Sequence, residues 1–356
     1  MRITAIVGTR PQLIKLAALR PHLAAPIEPL VIDTAQHHDE LLAGQIYRDL
    51  GMTPPDLLLP EPGDLRGTAR LEVMVRALDA ALAQMDPDAV LVFGDTDSTL
   101  AGALAAHARG IPIAHVEAGV RSGDATMPEE RNRIAVDKIA SLRLCTSDGA
   151  VQALREEGLT DGNVVVGDLM ADLVARLAPT ARGTAALDTA ALHIGRSLLS
   201  GGYGYATLHR ADVREATRLR AALDALRVSA EHLGVSVLFA AHPGTSAAIA
   251  AHGIDVPDGV ELVPPVGYLD SLALAAHAAA VLTDSGGLQR EAVWLLHPAG
   301  PSLLIGVDGG RVAAALATVG AVTGAAAVAA RVSRPLPAGG AAEAIRAALI
   351  ARRFAR

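Results

Sequence analysis

Short segments rich in β-branched residues alternate with longer segments rich in Ala and Leu along most of the chain, and this alternation limits the possible folds more than any other feature. It is typical of consecutive βαβ units, in which parallel strands form a sheet and helices cover its faces. We therefore predict an α/β fold with parallel sheets. The predicted strands of the first half are 3–7, 29–33, 89–93, 111–116, 142–146 and 164–166.

The same alternation starts again after a stretch that is broken by glycine and proline near residues 171–200. Because 356 residues exceed what one hydrophobic core usually organises, we predict two Rossmann-like domains, residues 1–170 and 171–340. Residues 341–356 are predicted to form a helix that packs back on the first domain. The predicted strands of the second half are 203–208, 236–240, 260–263, 280–283 and 302–305, followed by a helix around 309–318.

The charge and the cysteine content exclude several classes of protein. The formal net charge is -7 and the cations are scattered, so the sequence offers no basic surface for nucleic acid. Cys145 is the only cysteine, which excludes an internal disulfide and a thiolate zinc site and fits a reducing cytoplasm. Residues 312–330 carry no charge, but their Ala- and Gly-rich composition favours short helices and a strand over a membrane span. We expect a cytoplasmic protein that binds neither nucleic acid nor a membrane and carries no secretory signal.

The segment after the first predicted strand contains Gly8, Arg10, Pro11 and Lys15. Glycine permits a tight exit from the strand, and proline suits the first turn of a helix. Two interpretations remain open at this point. The segment either binds phosphate with its cations and its helix N-terminus, or forms an ordinary strand-to-helix turn with solvated cations.

The second predicted strand is followed by Gln36, His37, His38 and Asp39. A metal site is one hypothesis for this cluster, but adjacent histidines rarely face the same way, and no further ligands follow at a suitable spacing. The pattern favours a polar loop that hydrogen-bonds a ligand. We predict neither a metal nor a cofactor.

Carboxylates follow two further strands of the first half. Asp95 and Asp97 come after one strand, and Glu117 comes at the end of the next. Because the carboxyl ends of parallel strands meet at one edge of the sheet, Asp95 and Glu117 are expected to face one site. We expect either Asp95 or Asp97 to cap the following helix, as acids often do after a strand. Glu129 lies in the first turn of a later helix, where an acid also complements the helix dipole.

The second half has polar strand ends of its own. His209 and His242 follow its first two strands. Ser285, Gly286 and Gly287 lie between a strand and a helix, where glycine amides at the helix N-terminus suit a diphosphate. Glu291 follows one turn into the helix, at a spacing that suits a ribose diol.

Seven motifs in this order resemble the UDP-N-acetylglucosamine 2-epimerase family, both its non-hydrolysing type and its hydrolysing relatives. The motifs are Gly-Thr-Arg-Pro with Lys15, Thr-Ala-Gln-His, Gly-Asp-Thr-Asp-Ser, His-Val-Glu-Ala-Gly-Val-Arg-Ser, Pro-Glu-Glu-Arg-Asn-Arg, Thr-Leu-His-Arg and Asp-Ser-Gly-Gly-Leu-Gln. The resemblance covers roughly residues 3–292. It implies a GT-B-like pair of Rossmann domains with the active site in the interdomain cleft, a UDP-sugar ligand and a homodimer.

The resemblance also implies roles for individual residues. In the family, the reaction removes the C2 proton of the sugar, expels UDP to leave a glycal, and adds UDP back after reprotonation on the opposite face. The matching catalytic positions are Lys15, Asp95, Glu117, Glu129 and His209, and the matching nucleotide-binding positions are Arg10, His209, Ser285, Gly286, Gly287 and Glu291. We add His242 to the substrate-binding set. We assign Asp95 and Glu117 to proton transfer, Glu129 to sugar positioning or acid-base help, and Arg10, Lys15 and His209 to the leaving diphosphate.

Several segments depart from the family pattern. Arg290 stands where the family has the first of two glutamates, and residues 305–311 do not match the family's Thr-Glu-Arg-Pro-Glu segment. The loop 122–127 is short and has no aromatic residue, and Thr-Leu-His-Arg is followed by Ala211 and Asp212 in place of the usual acid and asparagine. These changes leave the exact sugar open. They also leave open a hydrolysing 2-epimerase, a glycosyltransferase of the same architecture and a silent nucleotide-sugar-binding homologue.

Overall fold

The computed structural model describes residues 1–36, 44–63, 65–199, 202–208, 215–295, 302–303, 339–352 and 354. The chain divides into two compact units. The first comprises Met1–Leu173 and Pro337–Arg356, and the second comprises Val174–Leu336.

The first unit contains a seven-stranded parallel sheet with the order β3-β2-β1-β4-β5-β6-β7. Its strands are β1 (Arg2–Val7), β2 (Glu28–Asp33), β3 (Leu57–Leu58), β4 (Ala89–Phe93), β5 (Ile113–Ala118), β6 (Leu142–Cys145) and β7 (Asn163–Val165). Its helices are α1 (Arg10–Leu19), α2 (Gly44–Asp49), α3 (Gly67–Met85), α4 (Asp97–Ala108), α5 (Pro128–Ile139) and α6 (Asp148–Glu156), with a 3-10 turn at Arg20–His22.

The central strands of this sheet are covered on both faces. Every residue of β4 is fully buried, in keeping with the continuous hydrophobic runs of parallel strands. The helices α3, α4 and α5 pack side by side on one face. Helix α1 buries all its residues from Gln12 to Leu19. The α/β fold predicted from the alternating pattern is confirmed.

The second unit contains a five-stranded parallel sheet with the order β10-β9-β8-β11-β12. Helix α7 (Leu169–Ala181) carries the chain from the first unit into the second. The strands are β8 (Gly204–Thr207), β9 (Val237–Ala240), β10 (Val260–Val263), β11 (Ala280–Thr283) and β12 (Ser302–Leu303). The helices are α8 (Thr184–Ile194), α9 (Ala216–Leu233), α10 (Pro243–Ala251), α11 (Tyr268–His277) and α12 (Gly286–Leu295), with a 3-10 turn at Arg196–Leu199.

Helix α13 (Ala341–Arg352) belongs to the first unit. Its first-turn amides are bonded by the carboxylate of Asp172, which accepts from Gly340 N at 3.1 Å and from Ala342 N at 2.8 Å. A carboxylate at this position satisfies amides that lack partners within a helix. Further along, Arg346 donates to the carbonyl of Ala25 at 2.9 Å, and the helix packs against α1.

The predicted strands correspond to observed strands, with ends shifted by one or two residues, apart from the last one. Of that strand, 302–303 is observed and 304–305 lies outside the described residues. The predicted helix at 309–318 and the uncharged segment 312–330 also lie outside them. Among the helices that the structure describes, none is both long and apolar enough to cross a bilayer.

Candidate active site

The order of the strands in the first unit changes direction at β1. Strands β2 and β3 lie on one side of β1, and β4 to β7 lie on the other. Ligands of open parallel sheets bind beyond the carboxyl ends of the strands at such a point. The segments that emerge there begin at Gly8 after β1 and at Gly94 after β4, and Glu117 lies at the end of the adjacent β5.

Close packing fixes the exit from β1. A Cβ atom on Gly8 would lie 1.9 Å from Thr34 Oγ1 and 2.4 Å from Ser98 Oγ, so only glycine fits without displacing these side chains. The two hydroxyls are 2.7 Å apart and hydrogen-bonded to each other. Ser98 also donates to Gln36 Oε1, from its amide at 2.9 Å and from its hydroxyl at 2.6 Å. These bonds join the segment after β2 to the start of α4, and Gly8 at the end of β1 packs against them.

A buried ion pair lies where these strand ends meet. Lys15 Nζ contacts Glu117 Oε2, and the two side chains are only 7% and 10% exposed. Gly94 leaves space for this pair, because a Cβ atom there would lie 3.4 Å from Glu117 Oε2 and 3.5 Å from Lys15 Nζ. Gly94 also has a φ of 65°, a conformation that glycine adopts readily.

The backbone of Glu117 has a left-handed conformation that is uncommon for this residue. Its φ is 68°, and the register between β5 and β6 shifts at this position, as in a β-bulge. Such a conformation costs roughly 1 to 2 kcal/mol and persists only where the surroundings enforce it. Arg133 from α5 enforces it in part, because its Nη1 donates to the carbonyl of Glu117 at 2.6 Å.

Arg133 also contacts the second candidate acid. Its Nη2 donates to Asp95 Oδ2, so one guanidinium group joins Asp95 to the backbone of Glu117. The neighbouring Asn132 donates to the carbonyl of Asp95 at 3.0 Å. The structure therefore brings Lys15, Asp95 and Glu117 into one cluster of charges, which we call the carboxylate cluster.

The prediction that Asp95 or Asp97 caps the helix after β4 is wrong. Thr96 is the cap of α4, and its hydroxyl accepts from the amide of Thr99 at 3.4 Å. A hydroxyl suffices as a helix cap, so both acids can pair with cations instead. Asp97 contacts Arg70 from α3, whose Nε lies 2.9 Å from Asp97 Oδ2.

Two adjacent glutamates at the start of α5 have different surroundings. Glu130 is buried and accepts from the amides of Ser122 at 2.9 Å and Gly123 at 3.1 Å. Burial raises its pKa, but these hydrogen bonds outweigh burial and hold the pKa below its usual value. Glu129 is exposed and lies one turn before Arg133. Residues four apart share a helix face, so Glu129 lies on the face that contacts the carboxylate cluster.

A buried hydrogen-bonded pair of side chains lies next to the carboxylate cluster. His115 Nδ1 is 2.7 Å from Asp137 Oδ1, and His115 Nε2 is 2.7 Å from the carbonyl of Gly94. Asp137 Oδ2 accepts from Gly119 N at 3.1 Å and pairs with Arg121 at 2.8 Å. Both side chains of the His115–Asp137 pair are fully buried.

The second unit places its candidate residues at the ends of β8 and β11. The hydroxyls of Thr207 and Thr283 lie 2.8 Å apart, and Thr283 Oγ1 accepts from Ser285 N at 3.0 Å. Helix α12 begins at Gly286, which is exposed and has open space where a Cβ atom would lie. Together with the half-buried Gly287, it offers glycine amides at a helix N-terminus.

Glu291 and His242 have defined orientations in this unit. Glu291 is buried, and its Oε1 accepts from the hydroxyl of Tyr268 at 3.0 Å. His242 is the N-cap of α10, and its Nδ1 accepts from Gly244 N at 3.1 Å. A ring nitrogen that accepts carries no proton, so Nε2 of His242 is the N–H donor.

Some predicted residues are not positioned by these contacts. Arg10 begins α1 and is half-buried. Other residues named from the sequence lie outside the described residues, namely His37, His38, Asp39, His209 and residues 305–311. Within the described part of the chain, no group of three or more metal-ligating side chains is found.

The sequence reasoning did not assign roles to Arg133, His115 or Tyr268. Arg133 and His115 lie within two of the seven motifs, so the motifs could have indicated both residues. Tyr268 carried no motif signal, because its position beside Glu291 arises from the packing of α11 against α12.

Comparisons with known proteins agree on one family. A family model described as UDP-N-acetylglucosamine 2-epimerase matches residues 22–336. A UDP-N-acetylglucosamine 2-epimerase homolog from Methanococcus maripaludis is 36% identical over 307 residues, covering 84% of this chain and 82% of the relative. A UDP-2,3-diacetamido-2,3-dideoxy-D-glucuronate 2-epimerase from Pseudomonas aeruginosa is 35% identical, with the same coverage of both chains.

Solved structures are similar along the whole chain. The crystal structure of the UDP-GlcNAc 2-epimerase of Methanocaldococcus jannaschii, in complex with UDP-GlcNAc and UDP, matches with a TM-score of 0.85 and 28% identity. The match covers 99% of this chain and 100% of that one.

Proposed function

Since this chain belongs to the UDP-N-acetylglucosamine 2-epimerase family, we propose that it inverts C2 of a UDP-N-acetylhexosamine, converting UDP-N-acetylglucosamine to UDP-N-acetylmannosamine. The observation that carries this proposal is the carboxylate cluster, in which Asp95 and Glu117 lie at adjacent strand ends and each contacts a buried cation. Inversion at carbon requires a base on one face of the sugar and an acid on the other, and two carboxylates can fill both roles.

The reaction is an elimination followed by an addition. One carboxylate takes the C2 proton while the bond between C1 and the diphosphate oxygen breaks, which leaves a C1–C2 double bond and UDP. The other carboxyl group then gives a proton to the opposite face of C2, and UDP adds back to C1. Asp95 and Glu117 move the protons, and Glu129 helps to position the sugar. The numbers of protons and electrons balance without an external oxidant or reductant.

Cations stabilise the departing diphosphate in this scheme. An ammonium group has three N–H donors, so Lys15 can hold Glu117 and still donate to a phosphate oxygen. Arg10 at the start of α1 and His209 complete this set. In the second unit, the amides at Ser285, Gly286 and Gly287 bind the diphosphate, while Glu291 holds the ribose and His242 donates from Nε2. Negative charge that develops on UDP is thereby placed opposite N–H groups.

The first test is incubation with UDP-N-acetylglucosamine in deuterium oxide, followed by proton NMR. Deuterium at C2 together with a UDP-linked manno product would support reversible epimerisation. Free N-acetylmannosamine and UDP would select the hydrolysing reaction, in which water captures the intermediate. Absence of both deuterium exchange and UDP release would refute the proposed activity on this sugar.

Variants link the result to the carboxylate cluster. Asp95→Asn and Glu117→Gln are each expected to lower kcat by at least 10²-fold, a common size of effect for a group in proton transfer. Glu28→Gln is a matched control, because Glu28 is an exposed acid at the amino end of β2, the opposite edge of the same sheet. If the control loses as much activity as the two site variants, the assignment to the carboxylate cluster is wrong.

A second substrate follows from the relatives. The Pseudomonas aeruginosa enzyme named for UDP-2,3-diacetamido-2,3-dideoxy-D-glucuronate is 35% identical to this chain, nearly as similar as the Methanococcus maripaludis homolog at 36%. That sugar adds a second acetamido group and a carboxylate to the same ring. Measuring kcat/KM for both UDP-sugars under identical conditions decides between them.

A further inference from the structure

His115 occupies a buried position between the two candidate acids. It lies on β5, two residues before Glu117, and its Nε2 reaches the carbonyl of Gly94, the residue before Asp95. Its other nitrogen contacts Asp137 on α5. The ring therefore contacts the backbone next to one acid directly and, through Asp137, the amide of Gly119 two residues after the other acid.

Both ring nitrogens of His115 face acceptors. The carbonyl of Gly94 can only accept, so Nε2 carries a proton. Burial raises the pKa of Asp137, but the charges and hydrogen bonds of His115 and Arg121 outweigh burial and hold that pKa below its usual value. Nδ1 lies 2.7 Å from Asp137 Oδ1, so both ring nitrogens are held by hydrogen bonds in the buried interior.

Further side chains from neighbouring elements surround the His115–Asp137 pair. Arg121 pairs with Asp137 on one side and with Glu157 on the other, at 2.7 Å from Nε to Glu157 Oε1. Arg143 from β6 donates to the backbone carbonyl of Asp137 at 2.5 Å. Cys145 on β6 has a pKa raised to about 11 by burial and by the charge of Asp137, so its thiol stays neutral.

We propose that His115 is a positioning residue of this enzyme, which holds the ends of β4 and β5 through the hydrogen bonds of its two ring nitrogens and thereby sets the geometry between Asp95 and Glu117. The kinetic part of this inference rests on the function proposed above, whereas the hydrogen bonds of the ring do not. The strained φ of Glu117 shows why such support is needed, since a left-handed glutamate relaxes when its neighbours permit it.

The kinetic test uses variants with fewer donors. His115→Phe keeps a flat ring without N–H groups. His115→Gln keeps one amide group, and it is the variant to test if His115→Phe does not fold. We expect kcat to fall by about 10²-fold in His115→Phe, the effect of a displacement of about 1 Å at a reacting group. KM and UDP affinity should change by less than about 3-fold, since positioning of the acids acts on the chemical step.

Two comparisons separate positioning from general destabilisation. Ser141→Ala removes a 3.1 Å hydrogen bond to the carbonyl of Ile113, at the opposite end of β5, and should leave kcat unchanged. Asp137→Asn should lower kcat as His115→Phe does, and the double variant should be no worse than either single variant, because both changes break one unit. Additive losses, or a control as impaired as the variants, would overturn the inference.

A measurement without substrate separates the positioning role from the proposed function. The backbone amide shifts of Asp95 and Glu117 are compared between the wild type and His115→Gln, and we expect both to move because the ring no longer holds the ends of β4 and β5. If the wild type shows no C2 exchange, the proposed function fails by itself. The amide shifts then decide the positioning role, and unchanged shifts would refute it.

Discussion

The buried ion pair between Lys15 and Glu117 allows a direct test of the energetics of the site. Its side chains are only 7% and 10% exposed, so water cannot take over the role of either partner. Lys15→Met keeps most of the side-chain volume but deletes the ammonium group. The charge of Glu117 is then no longer neutralised by the group that contacts it.

The expected loss is large compared with the stability of a domain. Removing one partner of a buried pair costs about 3 to 5 kcal/mol, whereas replacing both partners by neutral groups is often close to neutral. We expect Lys15→Met to lose about 3 kcal/mol of the free energy of unfolding, and Lys15→Met with Glu117→Gln to regain about 2 kcal/mol of it.

Urea denaturation followed by far-UV circular dichroism measures these differences at pH 7. With a slope of about 2 kcal/mol per molar urea, a loss of about 3 kcal/mol lowers the midpoint by about 1.5 M. Arg76→Met is the control, because Arg76 and Glu72 form a surface pair that is 75% and 66% exposed and should contribute less than about 1 kcal/mol. A double variant as unstable as Lys15→Met would refute the reasoning.

Three further predictions follow from single contacts. Because hydrogen bonds lower the pKa of Glu130, its stabilisation is present above the usual glutamate pKa and disappears as the pH falls through the lowered value. Wild type and Glu130→Gln should therefore differ in stability at pH 7 and converge near pH 3 in urea titrations, and an equal difference at both pH values would contradict this. Tyr268→Phe removes the hydroxyl that orients Glu291, so calorimetry should show UDP affinity lowered by about 5- to 10-fold, and unchanged affinity would exclude the role. Gly94→Ala and Gly110→Ala, at φ values of 65° and 68°, should each lose roughly 1 kcal/mol of stability. Only Gly94→Ala should also lose activity, because a Cβ atom at Gly94 meets Lys15 and Glu117, whereas open space surrounds Gly110. Equal activity in the two variants would show that the contact at Gly94 is unimportant.

Much of the fold could be predicted because parallel strands have a simple sequence pattern. Continuous apolar runs such as the one in β4 mark buried strands regardless of their neighbours. Strand β3 was missed, because it has only two residues, Leu57 and Leu58, and follows two prolines. A strand of this length has no periodicity to detect, and it exists only because β2 offers it hydrogen-bonding partners.

The candidate site could be predicted in part. The rule that ligands bind at strand ends pointed to Asp95 and Glu117, and the structure brings both into the carboxylate cluster. The rule could not distinguish Glu129 from Glu130, because which of two adjacent acids is buried depends on how the loop 122–124 folds over α5. The cap of α4 was predicted wrongly from the preference of acids for helix N-caps, since Thr96 takes that role and leaves the neighbouring acids to arginines.

The first unit is formed by two stretches of chain that are far apart in the sequence, and this has a consequence for synthesis. Helix α13 covers part of α1 and is bonded to Asp172, but residues 174–336 of the second unit are translated before it. Domains generally fold as they emerge from the ribosome. The first unit can therefore reach its final form only after the whole second unit has been made, and until then its N-terminal part must stay folded and soluble with that surface of α1 uncovered.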